Sequence, residues 1–194
     1  MKKILTIMAL MAWIPAALAD VETYDIDPAH SFANFTIRHV VSKASGTFND
    51  VSGKIAIDRS DLAKSSVRAR IGVMSVNTGF AKRDEHLREK PEYLEPAKFA
   101  EMTFVSSKVE ARGKDEGVIT GQFTLHGVTR EITLPFKLLG VGADPWGGQR
   151  AGFEAHTTLH AADYGFGWAA NPNGPVGTDI EVTLLIEGVK EKTK

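Results

Sequence analysis

Apolar and polar residues alternate with a period of two from about residue 31 to residue 187, and this pattern limits the fold more than any other feature of the chain. Successive side chains of a β-strand point to opposite faces, so each alternating run has one dry side and one wet side. Eight runs are readable. Their dry sides are Ser31, Ala33, Phe35, Ile37 and His39; Gly53, Ile55 and Ile57; Val67, Ala69, Ile71 and Val73; and Met102, Phe104 and Ser106. The later four are Ile119, Gly121, Phe123 and Leu125; Ile132, Leu134, Phe136 and Leu138; Ala151, Phe153, Ala155, Thr157 and Leu159; and Ile180, Val182, Leu184 and Ile186. Eight half-wet strands with short connections predict an all-β fold, an eight-stranded antiparallel barrel, because closure removes unpaired sheet edges. Pro135 falls on the polar side of its run and has no N–H to give a ladder, which points to a bulge or a local edge. The main interruption, residues 77–100, predicts a short helical insert at about residues 78–95, lying across one end of the barrel. In it Phe80 and Leu87 share a face, Asp84 and Arg88 are spaced for an ion pair, and Pro91 stops the helix. Gly140 to Gln149 and Ala169 to Gly177 form two further long connections.

The dry sides mix large residues with small ones such as Ala33, Ala69, Gly121, Ala151 and Ala155. Such a mixture fits a lumen packed solid by its own side chains, and it equally fits one left open for an apolar guest. Periodicity does not separate the two. His39 is the one ionisable residue among the dry sets, either a histidine bonded to backbone or a polar anchor at the barrel mouth. An enzyme would gather several titratable groups in one pocket, and the inward pattern does not supply them. His156 and His160 are four residues apart on the wet side of one run, about 13 Å along a strand and too far to chelate one metal ion. His126 is read as outward-facing, His86 as helical, and His30 as preceding the first run. With no cysteine, disulfides, thiolate catalysis and thiolate-held zinc are excluded, and neither a metal nor a cofactor is expected. A formal charge of -1 argues against a nucleic-acid partner. The chain has no G-x-S-x-G, no P-loop and no H-E-x-x-H motif.

Residues 1–19 read as a secretory signal. Lys2 and Lys3 precede an uncharged apolar run, Ile4 to Leu18, which ends in Ala17-Leu18-Ala19 before Asp20. The run is too short to be read first as a spanning helix. Cleavage after Ala19 removes Lys2, Lys3 and no acid, leaving a domain of residues 20–194 with 21 basic and 24 acidic groups. Its expected location is the bacterial periplasm. No transmembrane segment is expected in the mature chain, and a lipid anchor would need a cysteine at the cleavage point.

Several segments in order resemble the YceI-like family of lipid-binding proteins. They are Tyr24-Asp25-Ile26-Asp27-Pro28-Ala29-His30-Ser31 leading to Phe35 and His39; Gly46-Thr47-Phe48 with Gly53; and Asn77-Thr78 followed by Arg83-Asp84-Glu85-His86-Leu87-Arg88. Met102-Thr103-Phe104, Gly121 to Thr129, and Asp144 to Phe153 continue the match, which runs from about Tyr24 to Gly188. The resemblance implies a lipocalin-like barrel holding a polyisoprenoid or other long amphipathic lipid, such as a quinone precursor. It also implies export, a link to stress conditions for some members, and a homodimer as one assembly the family uses. The chain departs from many relatives at Ala161, where an arginine often precedes the Asp163-Tyr164-Gly165 stretch, and in its Gly-, Pro- and Asn-rich segment 167–177. If that arginine seats a headgroup, the ligand's polar end is held differently here.

The expected function is therefore a periplasmic carrier for such a lipid. The candidate ligand-binding residues are Phe35, Ile37, His39, Phe48, Ile55, Ile71, Leu87, Phe104, Phe123, Leu125, Ile132, Leu134 and Phe153, with His39 and the helix near the mouth. A barrel of this strand length is about 25 Å tall, so a long prenyl tail must fold or protrude. An enzyme acting on an isoprenoid-type lipid is the alternative from another class. A filled barrel that binds a protein partner through an apolar patch near Trp146 or Trp168 is a third.

Overall fold

The computed structural model describes residues 21–192. The signal segment and its cleavage point lie outside the described residues. Eleven strands form one antiparallel sheet: β1 (Val21–Ile26), β2 (Phe32–His39), β3 (Ser42–Phe48), β4 (Val51–Asp58), β5 (Ser66–Gly72), β6 (Val76–Asn77), β7 (Glu101–Ala111), β8 (Glu116–Leu125), β9 (Val128–Ala143), β10 (Gln149–His160) and β11 (Val176–Lys190). One α-helix among the described residues, α1 (Ala81–Glu89), interrupts them. No helix among the described residues is long and apolar enough to cross a membrane.

Eight strands close a ring in the order β1-β4-β5-β7-β8-β9-β10-β11, and β11 pairs back to β1. The expected eight-stranded barrel is present, but one of its staves is not the strand the alternation pointed to. The run from Ser31 to His39 does not complete the ring. It pairs on its other side with β3, which in turn carries the two-residue β6. Val21–Ile26 closes the barrel instead, a segment whose six residues are too few to show a strong period.

β1 and β2 are two halves of one bent strand laid along β11. Asp27 N donates to the Glu187 carbonyl, and the Ser31 hydroxyl donates to that same carbonyl while accepting from Glu187 N. Ser31 is fully buried, so its side chain supplies the ladder bond that the excursion Asp27–Ser31 would otherwise lose. Beyond this bend the chain leaves β4 and pairs with β3. No ladder joins β3 to β4 among the described residues, although only Asn49 and Asp50 separate them. The barrel is thus sealed at the β1 end and parted at the other, where residues 73–100 fill the opening.

The helix that fills it is shorter than the expected insert and is fixed differently. Phe80 is the N-cap rather than a buried helical residue, and Lys90 ends the helix one residue before Pro91. Asp84 and Arg88 form no ion pair. Asp84 is buried and accepts from the amide and hydroxyl of Thr78, while Arg88 donates to the carbonyls of Met74 and Val76. These bonds tie α1 back onto β6, because its own mean character is polar and apolar burial alone would not hold it.

Pro135 behaves as its missing N–H dictates. It pairs with Val118 of β8, and the β9–β10 ladder ends one residue away, at Phe136 opposite Ala155. Three glycines sit beneath aromatic rings rather than widening the lumen. A Cβ at Gly46, Gly117 or Gly121 would fall 2.5, 2.6 or 2.6 Å from ring carbons of Phe35, Phe136 and Phe104, respectively. The inference that Gly121 opens space for a guest is therefore corrected, since the Phe104 ring occupies that space.

Candidate binding cavity

The dry faces of the ring strands, together with β2 and β3, line a cavity of about 570 Å³. That is well beyond the few water-sized voids found in a close-packed interior. Along its walls the alternation maps onto strand position after position. Phe35, Ile37 and His39 come from β2, Phe48 from β3, Ile55 from β4 and Ile71 from β5. Phe104 stands on β7, Phe123 and Leu125 on β8, Ile132 and Leu134 on β9, and Phe153 on β10, while Leu87 reaches in from α1. All thirteen residues singled out in the sequence stand on this one wall. Ala33, Ala69 and Ala155 also line it, whereas Gly121 and Ala151 do not.

Many of these side chains are only partly buried although they lie inside a closed sheet. Phe35, Ile37, Ile71, Ile132, Phe153, Val182 and Leu184 all retain accessible surface while lining the cavity. Around them a tighter set (Tyr24, Val51, Val73, Val76 and Tyr164) is almost fully covered and packs the ends. The barrel is therefore tightly packed in part and hollow along the cavity.

Sequence reasoning missed the parts of the wall that are not strand. Leu62, in a single 3-10 turn between β4 and β5, lines one end. Tyr93 and Leu94 come from the loop after α1, and Phe166 and Trp168 from the turns between β10 and β11. No period marks such residues. Large apolar side chains within polar or glycine-rich loops were the available signal.

His126 is a further correction. The alternation points it outward, but its side chain is 13% exposed and lies between Phe99 and Phe166, with ring centroids 4.4 and 4.7 Å away. It sits at the β8–β9 turn with φ of 51°, which breaks the alternation there and turns the ring inward. Its Nδ1 lies 3.3 Å from the Tyr164 carbonyl and its Nε2 3.3 Å from Glu95. The cluster fastens the loops after α1 and after β10 over one end of the barrel. Ala161, the position of the departure noted above, is fully buried within it. Trp146 is the reverse case, 77% exposed with the Arg150 guanidinium 5.5 Å above its ring.

The cavity opens between α1 and the β2–β3 hairpin. Exposed lining residues on that side are His39, Ser45, Phe80, Lys82, Arg83 and His86; Ser66 of β5 is exposed as well, and no aspartate or glutamate lines the cavity anywhere. His39, the one inward histidine of the sequence pattern, belongs to this rim. Asp27, His30 and Glu187 offer ligand atoms within 4.8 Å of one another, on the outside of the barrel. Arg150 already bridges them, 2.7 Å from Asp27 and paired with Glu187, so the cluster is a compensated ion-pair network. Burial would raise the Asp27 carboxyl, but hydrogen bonds from His30 and Arg150 outweigh it and lower the pKa to about 2.

A family model described as the YceI-like domain matches residues 24–188. The chain belongs to the YceI-like family. Protein YceI of Salmonella arizonae is 40% identical over 188 residues, covering 96% of each chain. Among solved structures, Burkholderia cenocepacia BcnA superposes with a TM-score of 0.74 at 20% identity, over 84% of this chain and 98% of that one. A polyisoprenoid binding domain from Saccharophagus degradans does so with a TM-score of 0.67 at 21% identity, over 87% and 98%. Both likenesses show the same fold.

Proposed function

We propose that the protein is a periplasmic carrier for a polyisoprenoid or related long-chain amphipathic lipid of the quinone-precursor type. The observation that carries this reading is the uncovered apolar surface inside a closed sheet. A core meant only to be solid would spend that surface on packing. Covering it with a prenyl chain releases about 0.8 kcal/mol per buried CH₂, with no specific contact required. The polyisoprenoid-binding domain of Saccharophagus degradans, which shares the fold, supports the same ligand class. The N-terminal signal supports export. A binding role fits the wall better than catalysis, because its ionisable side chains sit at the mouth and its interior is apolar.

Protein purified from cells without detergent should release an isoprenoid when extracted with organic solvent and analysed by mass spectrometry. Its mature N-terminus should be Asp20, recovered in the periplasmic fraction. Protein that yields no lipid and takes none up from solution would overturn the reading.

A further inference from the structure

The carrier reading leaves the headgroup open, and the polar atoms of the cavity restrict it. Lys82 and Arg83 are donor-only side chains at the mouth, and His39 and His86 stand with them. The helix sorts its charge. Lys82, Arg83 and His86 line the cavity, whereas Glu85 and Glu89 do not, and neither does Asp84, which is buried and taken up by the amide and hydroxyl of Thr78. The rim acids are thus removed from the opening while the cations are kept there. Arg83 is held in place by its own donation to the Thr78 hydroxyl and carbonyl, at 2.8 Å each. A second observation is independent of the helix. Trp168 lines the same cavity, and its indole Nε1 is buried with no hydrogen-bond partner among the described residues. Buried N–H groups are rarely left without an acceptor, and an indole N–H can only donate.

We infer that the cavity selects a single-chain lipid whose headgroup is an anionic oxygen acid, a phosphate or a carboxylate, rather than a neutral alcohol. This rests on the carrier reading and names the class of ligand within it. Rim cations and an unpaired donor together ask for a group that only accepts, and a charged acceptor forms the stronger hydrogen bonds. The apolar tail supplies affinity in the lumen, and the rim discriminates among heads.

The test uses mature protein stripped of bound lipid and titrated calorimetrically at low salt with farnesyl phosphate, farnesol and a C16 fatty acid. Farnesyl phosphate should bind at least tenfold more tightly than farnesol, and the preference should shrink as salt screens the exposed cations. The fatty acid separates the two anionic classes. Binding near that of farnesyl phosphate means that any anionic oxygen suffices, and much weaker binding narrows the headgroup to phosphate. The double variant K82Q/R83Q should bring the phosphate-to-alcohol ratio close to one. Should the loss of Arg83 disturb α1, K82Q alone and W168F each report separately, since the Lys82 side chain makes no hydrogen bond among the described residues and phenylalanine keeps an aromatic ring at position 168 without the N–H donor. Both should lower the ratio several-fold. Equal binding of phosphate and alcohol to the unaltered protein would overturn this inference and leave the carrier reading standing. Failure of all three ligands to bind would remove the carrier reading itself.

Discussion

At the scale of single residues, the chain uses side chains to repair what its topology breaks. Ser31 stands in for a missing ladder bond, and Asp84 of α1 holds Thr78 in the link between β6 and the helix. Gly53 has φ of 142°, and a Cβ there would run into the Arg68 carbonyl, so β4 and β5 approach closely only because that side chain is absent. Charged residues do similar work at the outer seam. Burial would raise the Glu22 carboxyl, but hydrogen bonds from Lys190, Arg59 and Tyr24 bring it down to about 2. Asp27 is lowered to the same value by His30 and Arg150, against its own burial. Both folded values lie below those of the unfolded chain. The unfolded state therefore binds more protons between about pH 4.5 and pH 2, and the stability these groups add is complete above that window and lost as pH falls through it. Thermal melting followed by circular dichroism should show a Tm nearly constant from pH 7 to 5 that drops below about pH 4. Arg150→Met should flatten that acid limb while costing on the order of 1–3 kcal/mol at neutral pH, where Asp27 and Glu187 lose their shared cation. An unchanged acid limb in the variant would separate the network from the pH response.

At the scale of elements, the decisive strand is the short β1, which pairs with β4 on one side and β11 on the other. Removing it leaves two open edges on a sheet that has none at that end, and open edges pair with other chains. A chain beginning at Asp27 should therefore melt well below the intact mature protein and self-associate, as read by size-exclusion chromatography. A monomeric product of unchanged Tm would show that β2 can close the ring unaided. The element level is also where alternation misled. It reported β2 faithfully as a strand with Phe35 and Ile37 on its dry side. It did not report that β2 turns away from β4, because period two encodes which face is dry and is silent about which strand is the neighbour. The Asp84–Arg88 spacing misled for a related reason. An i, i+4 pair is worth only a few tenths of a kcal/mol, and each member found a better partner, Asp84 in Thr78 just after β6 and Arg88 in the carbonyls of Met74 and Val76.

At the scale of the whole molecule, closure of eight strands sets a diameter that side chains can just fill, and this chain leaves part of it unfilled. Residues that face the void gain nothing from packing until something enters, so the empty protein should be less stable than the loaded one. At a ligand concentration one hundred times Kd the difference is about 2.7 kcal/mol. Filling the void from within should have the opposite consequence for function. Val182→Trp, on β11 at mid-cavity, should fold to a barrel of similar Tm while lipid uptake falls at least tenfold. Normal uptake by that variant would mean that the ligand does not occupy the lumen. The same scale accounts for the assembled mouth. Lys82, Arg83, His39 and Trp168 come from a helix, a strand and a turn far apart in sequence, and only the closed fold brings them to one cavity.

Local chemistry is what the sequence determined by itself. It specified eight of the eleven strands and their dry faces, the class of fold, and, for the eleven strand residues of those runs among the thirteen candidates, the wall they share, because a side chain's direction along a strand depends only on its parity and its burial preference. Tertiary structure decided which strand closes the ring, where His126 points, and whether the lumen is full. Those outcomes depend on strand neighbours and on the barrel radius relative to the length of inward side chains. Both are sums over distant parts of the chain, and no window of sequence contains them.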